Sequence, residues 1–211
     1  MSLWGRIFAA TYDRIMSGAE EGGLAAHRRA LLASAGGDVL EIGGGTGANL
    51  PFYGDSVRSL TITEPEAPMA QRLQRRLEQT TATPAATRLV QASAEQLPFE
   101  DGSFDTVVST LVLCTVDDQA QSLRELKRVL RPGGRLLFME HVRAEDGQRL
   151  ARWQDRMRPI GVRMAHGCRC NRRTVDGIRA AGFEVTDLER DEMTHVPPFV
   201  RPLVVGGAVA T

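Results

Sequence analysis

The stretch VLEIGGGTGANL, residues 39–50, decides the fold. A short apolar run ends in an acid, Glu41, and four glycines follow within five residues. Apolar residues running into a glycine turn mark a strand that hands the chain to a nucleotide-sized ligand. Two spacings fit the loop. One is G-x-G-x-x-A, through Gly43, Gly45 and Ala48; the other is E-x-G-x-G-x-G, through Glu41, Gly43, Gly45 and Gly47. The remainder of the chain has to choose between them.

Outward from the loop, strand-like and helix-like segments alternate. DVLEI, VRSLTIT, TRLVQAS, SFDTVVST and RLLFMEHV read as five strands. EAPMAQRLQRRLEQT and DQAQSLRELKRVLR read as helices between them, the second started by Asp117-Asp118 and stopped by Pro132-Gly133-Gly134. Such alternation implies a parallel sheet with right-handed crossovers. Upstream, residues 3–16 place Leu3, Trp4, Ile7, Phe8, Thr11, Tyr12, Ile15 and Met16 on one helical stripe, and residues 20–34 form a second helix. Downstream, helices are expected over 147–165 and 171–181. FEVTDLER and PLVVGGAVA then follow with no helix between them, which favours an antiparallel pair.

The chain has 211 residues, ordinary for one α/β domain, and 42% of them are apolar. Its 26 basic and 26 acidic residues balance, so no broad basic field for nucleic acid is present. Three cysteines do not make a disulfide framework. The first sixteen residues carry Arg6 and Asp13 and resemble no signal peptide. No run reaches the roughly 20 apolar residues of a membrane span. A cytoplasmic location is the expectation.

Charge separates the two loop readings. A dinucleotide brings an anionic pyrophosphate, which Glu41 would repel. S-adenosylmethionine brings an ammonium and a sulfonium, which Glu41 can face while Gly43 and Gly45 make room. Glu64, at the end of the second strand, can accept both hydroxyls of a ribose and serves either ligand.

The segments VLEIGGGTGANL, TITEPEAPM, ASAEQLPFEDGSFDTVVST and RELKRVLRPGGRLLFMEHV stand in order along the chain. Together they resemble class I S-adenosylmethionine-dependent methyltransferases of the ubiquinone/menaquinone C-methyltransferase-like group. STLVLCTVDD, FMEHVRA, Trp153-Gln154, HGCRCNRRT and AAGFEV are similar to the thiol S-methyltransferases and their bacterial relatives. The resemblance implies a Rossmann-like three-layer sandwich, its seven-stranded sheet parallel except for a C-terminal antiparallel strand. It implies one domain: a helical lid over 1–35, a cofactor core over 36–142, a substrate-side insert over 143–181 and a strand pair over 182–211. It also implies roles. Glu41, Gly43, Gly45 and Gly47 would form the methionine-end loop, and Glu64 would hold the ribose. Ser93, Ala94 and Glu95 would flank adenine, Thr110 and Leu111 would lie beside the sulfonium, and Tyr12 would cap the cofactor. Ser93 departs from the Asp usual there, so adenine would depend more on backbone and on packing near Leu97 and Pro65.

Methyl transfer needs alignment and exclusion of water more than a catalytic triad. The acceptor is expected to be a small molecule, possibly a thiol, with a phospholipid amine or a quinone-type ring as alternatives. A nicotinamide-dependent oxidoreductase and a non-catalytic cofactor-binding protein are more remote. His141 and Arg172 are the catalytic candidates; Trp153, His166, Cys168 and His195 also belong to the substrate side. Arg172 matches an arginine of the thiol-transferring relatives. HGCRC places His166, Cys168 and Cys170 within five residues, but no second C-x-x-C pair accompanies them, so no metal site is expected. The N-terminal stripe can serve as a lid or rest on a bilayer as a peripheral contact.

Overall fold

The computed structural model describes residues 3–80, 84, 86–164 and 167–211, without the side chains of Leu3, Trp4, Ile7, Phe8 and Met164. The expected packing of Trp4, Ile7 and Phe8, and the placement of His166, therefore lie outside the described residues. Helix α1 (Leu3–Ala19) passes through a π-helical turn (Glu20–Leu24) into α2 (Ala25–Leu32). Then come β1 (Gly37–Ile42), β2 (Val57–Thr63), α3 (Ala67–Gln79), β3 (Ala86–Val90), β4 (Phe104–Thr110), α4 (Gln119–Val129) and β5 (Leu130–His141). The chain finishes with α5 (Arg149–Met164), α6 (Thr174–Ala180), β6 (Phe183–Glu192) and β7 (Pro202–Ala210).

The sheet has seven strands in the order β3-β2-β1-β4-β5-β7-β6. β1 to β5 pair in parallel, and β7 inserts antiparallel between β5 and β6. This is the expected Rossmann-like sheet, with its C-terminal antiparallel strand. Asp118 caps α4, its carboxylate accepting the Gln121 N–H at 2.9 Å. The helix ends at Val129, earlier than Pro132-Gly133-Gly134 suggested. Gly133, at φ +74°, instead absorbs an irregularity inside β5, where pairing with β4 jumps from Leu130 to Arg135.

Strand parity builds two cores. Leu40, Ile42, Val107, Leu136 and Phe138 face α4 and α6 with Leu123, Leu126 and Ile178. Val39, Val108, Leu137 and Met139 face the other layer, with Leu31, Leu32 and Leu73. A fully buried aliphatic side chain contributes about 1.5–3 kcal/mol, so both faces hold the sheet rigid. The same parity assigns the polar groups at the strands' carboxyl ends. Glu41 and Thr110 fall on the α1–α3 side, Ser109 and Glu140 on the other. No helix among the described residues is long and apolar enough to cross a membrane.

Candidate active site

The glycine loop leaves β1 at its carboxyl end. Gly43, Gly45 and Gly47 have φ of +57°, +55° and +87°, in the left-handed region that favours glycine. A Cβ on Gly43 would press on Val112, whereas one on Gly45 would meet nothing within 4 Å. The loop is therefore packed from beneath and open above Gly45.

Glu41 lies below this opening and is buried. Tyr53 donates its hydroxyl to Oε2 at 2.7 Å and Asn49 donates Nδ2 to Oε1 at 2.9 Å. Burial pushes the Glu41 carboxyl up to about 7, against the pull of those two hydrogen bonds and of Arg28. The sequence placed this acid at the mouth of the loop; it stands instead inside a hydrogen-bonded network. Arg28 of α2, also buried, donates Nη1 to Asn49 Oδ1 at 2.7 Å and to Thr110 Oγ1 at 3.1 Å. Its Nη2 pairs with Glu20 at 2.9 Å. Asn49 also donates to Thr110 Oγ1 at 3.0 Å. A buried carboxylate and a buried guanidinium thus share Asn49 at the ends of β1 and β4.

Helix α1 covers the crevice. Thr46 of the loop donates its hydroxyl to Asp13 at 2.5 Å. Tyr12, half-buried beside it, has its phenol pushed up to about 12 by burial, with Arg28, Glu20 and Cys114 near enough to act on it. The chain has two tyrosines, and both line this region.

Glu64 follows directly after β2 and is buried. Its carboxylate accepts the N–H of Gly45 at 2.8 Å and that of Glu66 at 2.9 Å. Burial raises its pKa while those amide donors oppose the shift. The Glu64 N–H bonds to the Val90 carbonyl at 3.2 Å, so the segment after β3 lies alongside. There Ser93 is half-buried, Ala94 is buried, and Glu95 accepts the Asp117 N–H at 2.9 Å. The Glu95 side chain therefore ties this segment to the loop after β4.

That loop begins with Leu111, whose φ of +61° is unusual for a branched side chain. Glu140 explains why the turn persists. Its buried carboxylate accepts Ser109 Oγ at 2.6 Å and the N–H groups of Val112, Leu113 and Cys114 at 3.0–3.1 Å. Burial raises its pKa against these four donors. On the loop's other side, Arg172 donates to the carbonyls of Leu113 at 2.6 Å, Val116 at 2.5 Å and Asp117 at 3.2 Å. The expected substrate-side arginine is thus placed as a clamp on backbone oxygens. Arg169 adds two more, to Thr115 and Val116.

His141 ends β5. Its Nδ1 lies 3.5 Å from Cys168 Sγ and 3.9 Å from Cys114 Sγ, and its Nε2 lies 2.8 Å from Met193 Sδ. Hydrogen bonding between the two thiols raises Cys114 and lowers Cys168, with His141 also favouring the Cys168 thiolate. Cys170 is a separate buried thiol, pushed up to about 11 by burial. Gln154 is fully buried and joins the carbonyls of Val142, Cys170 and Phe199, each at 3.0 Å. Trp153 is 40% exposed and stands edge-on to Phe199. His195 packs against Gly18 of α1.

The predicted residues fall into two neighbouring groups. Glu41, Gly43, Gly45, Glu64 and Thr110 belong to the first; His141 and Arg172 belong to the second. The loop after β4 touches both. Sequence reading missed Arg28, Asn49, Tyr53, Asp13 and Glu140. Tyr53 was findable, because aromatics are scarce. Arg28 was not: in AAHRRALL it reads as one more solvated base.

Residues 40–138 match the family model described as a methyltransferase domain. Thiol S-methyltransferase TMT1A of Homo sapiens is 36% identical over 171 residues, covering 81% of this chain and 70% of that protein. Phosphatidylethanolamine N-methyltransferase of Cereibacter sphaeroides is 34% identical over 112 residues, covering 53% of this chain and 54% of that protein. Among solved structures, a Thermotoga maritima protein described as a SAM-dependent methyltransferase and possible histamine N-methyltransferase superposes with a TM-score of 0.71. The two are 22% identical, and the match covers 100% of each chain.

Proposed function

The chain belongs to the S-adenosylmethionine-dependent methyltransferases, and from that premise we propose that its acceptor is a small thiol. The likeness to thiol S-methyltransferases across four-fifths of the chain carries this reading. The sulfur-lined end of β5, where His141 meets Cys114, Cys168 and Met193, agrees with a soft, apolar acceptor.

The residues present fit the cofactor. Open space above Gly45 admits a ligand against the backbone. An amino-acid end is a zwitterion, and the crevice offers a buried opposite pair, Glu41 for its ammonium and Arg28 for its carboxylate. Glu64 accepts the ribose hydroxyls, exchanging the Gly45 amide for them. Ser93, Ala94 and Glu95 border the place for adenine. When bound, the cofactor supplies a methyl group already activated on a sulfonium. The chain contributes alignment. Thr110 and Leu111 form the wall beside the reacting sulfur. Tyr12 and α1 exclude water. His141 borders the acceptor's place beside the two thiols, and Arg172 positions the loop between the two groups. Buried, reduced cysteines suit a cytoplasmic setting.

A panel of small thiols, phosphatidylethanolamine vesicles and phenols, each scored by homocysteine-containing product release, tests the acceptor. Turnover is expected with thiols. Turnover confined to the lipid amine or to phenols would replace the reading.

A further inference from the structure

Three donor atoms from three separate elements meet beside the proposed methyl-transfer site. Cys114 comes from the loop after β4, His141 from the end of β5, and Cys168 from the segment after α5. Cys114 Sγ, His141 Nδ1 and Cys168 Sγ all lie within 4.8 Å of one another. The two sulfur–nitrogen separations are 3.5 and 3.9 Å. Tetrahedral zinc, with bonds near 2.3 Å to sulfur and 2.0–2.1 Å to nitrogen, spaces such donors at roughly 3.5 Å. We propose that Cys114, His141 and Cys168 form a binding site for a thiophilic divalent ion of the zinc class, with a fourth coordination place left open.

The fold prepares the donors without an ion. The Arg169 N–H bonds to the Cys114 carbonyl at 2.8 Å, stitching the two cysteine-bearing loops together through backbone. Glu140 fixes Cys114 from behind by accepting its N–H at 3.1 Å. Met193 Sδ faces His141 Nε2, so the ring proton belongs on Nε2 and the Nδ1 lone pair points to the sulfurs. Two thiolates and one neutral imidazole balance a divalent charge, which suits a buried setting. Cys170 lies in the same buried sulfur cluster but outside the donor triad, which makes it the internal control.

A site of three protein donors is the arrangement that keeps one place for water or substrate. This part rests on the thiol reading above. An acceptor thiol entering that place would displace water, form a metal–sulfur bond and lose its proton to solvent. It would then stand as a thiolate next to Leu111 and Val112, below the glycine loop.

Reduced protein titrated with Co²⁺ in thiol-free buffer tests the site by absorption. Expected are one equivalent bound, visible bands of tetrahedral cobalt, a sulfur-to-cobalt charge-transfer band, and displacement of both by Zn²⁺. Cys170→Ser should keep these signals. Cys114→Ser and Cys168→Ser should each lose the tight site while still being thermally stabilised by S-adenosylhomocysteine, which shows that they fold. Adding a small thiol to the cobalt-loaded protein should shift the visible bands. Absence of charge transfer in the wild type, or an equal loss in Cys170→Ser, overturns the site. An unshifted spectrum on adding thiol overturns its open place. Metal binding without thiol turnover would leave the site standing and remove only the thiol reading.

Discussion

At the scale of single residues, the decisive number is the ionisation of Glu41. Burial raises its carboxyl from 4.5 to about 7. A carboxyl with a raised pKa in the folded state binds its proton more tightly there than in the unfolded chain. Its neutral form is therefore the stabilised one, and stability falls as pH rises from about 4.5 to about 7. The difference corresponds to about 3 kcal/mol. Glu41→Gln mimics the neutral acid at a cost of about 1 kcal/mol for one mismatched hydrogen bond to Tyr53 or Asn49. Denaturant unfolding should find the variant no more stable than wild type at pH 5 and more stable at pH 8. Parallel pH curves for the two proteins would show that Glu41 does not titrate in this window. If a cationic ligand group pairs with this carboxylate, wild-type affinity for S-adenosylhomocysteine should also rise across the same window, and the variant's should stay flat.

At the scale of elements, the glycine loop bonds to α1 from Thr46 to Asp13. A further anchor is the π-turn, where Glu20 holds Arg28 and Gly23 turns the chain at φ +135°. Asp13 is exposed, so its bond is worth the lower end of the range for charged partners, about 1 kcal/mol. Removing it should loosen the cover without touching the buried network. In stopped-flow release, Asp13→Ala should free S-adenosylhomocysteine about 5-fold faster, with single-turnover methyl transfer nearly unchanged. An unchanged release rate would mean that the Thr46–Asp13 bond does not hold the cover. Elements of this kind were legible in the sequence because hydrophobic period and glycine turns are local signals. The strand and glycine turn at Glu41, the cap at Asp118 and the pairing of the last two strands all follow from neighbours in the chain; the glycine turn leads only into a short 3-10 turn, Leu50–Phe52, before β2. What α1 grips was not legible, since Asp13 and Thr46 are 33 residues apart and each reads alone as a solvated polar residue.

At the scale of the whole molecule, the same divide explains which parts of the site stayed hidden. The proposed cofactor side rests on loops that leave consecutive strands, where E-x-G-x-G-x-G and Glu64 stand. The sulfur cluster joins positions 114, 141, 168 and 193, which only the sheet order brings together. No two of these positions stand close enough in the chain to form a ligand pair of the C-x-x-C kind. The proposed cofactor site is also a property of the whole chain, because its residues come from the ends of β1, β2 and β4 and from α1 at once. A ligand bridging those four elements must stabilise the fold as a unit. At a concentration of 100 times its dissociation constant, S-adenosylhomocysteine should add about 2.7 kcal/mol. For a chain of this length that is a rise of roughly 5–10 °C in thermal midpoint. NAD at the same concentration should give no rise, because its pyrophosphate would have to lie over Gly43–Gly47 between the carboxylates of Glu41 and Glu64. Calorimetry with both ligands decides the matter: a shift with NAD and none with S-adenosylhomocysteine would mean that the crevice discriminates by something other than the sign of its buried charges.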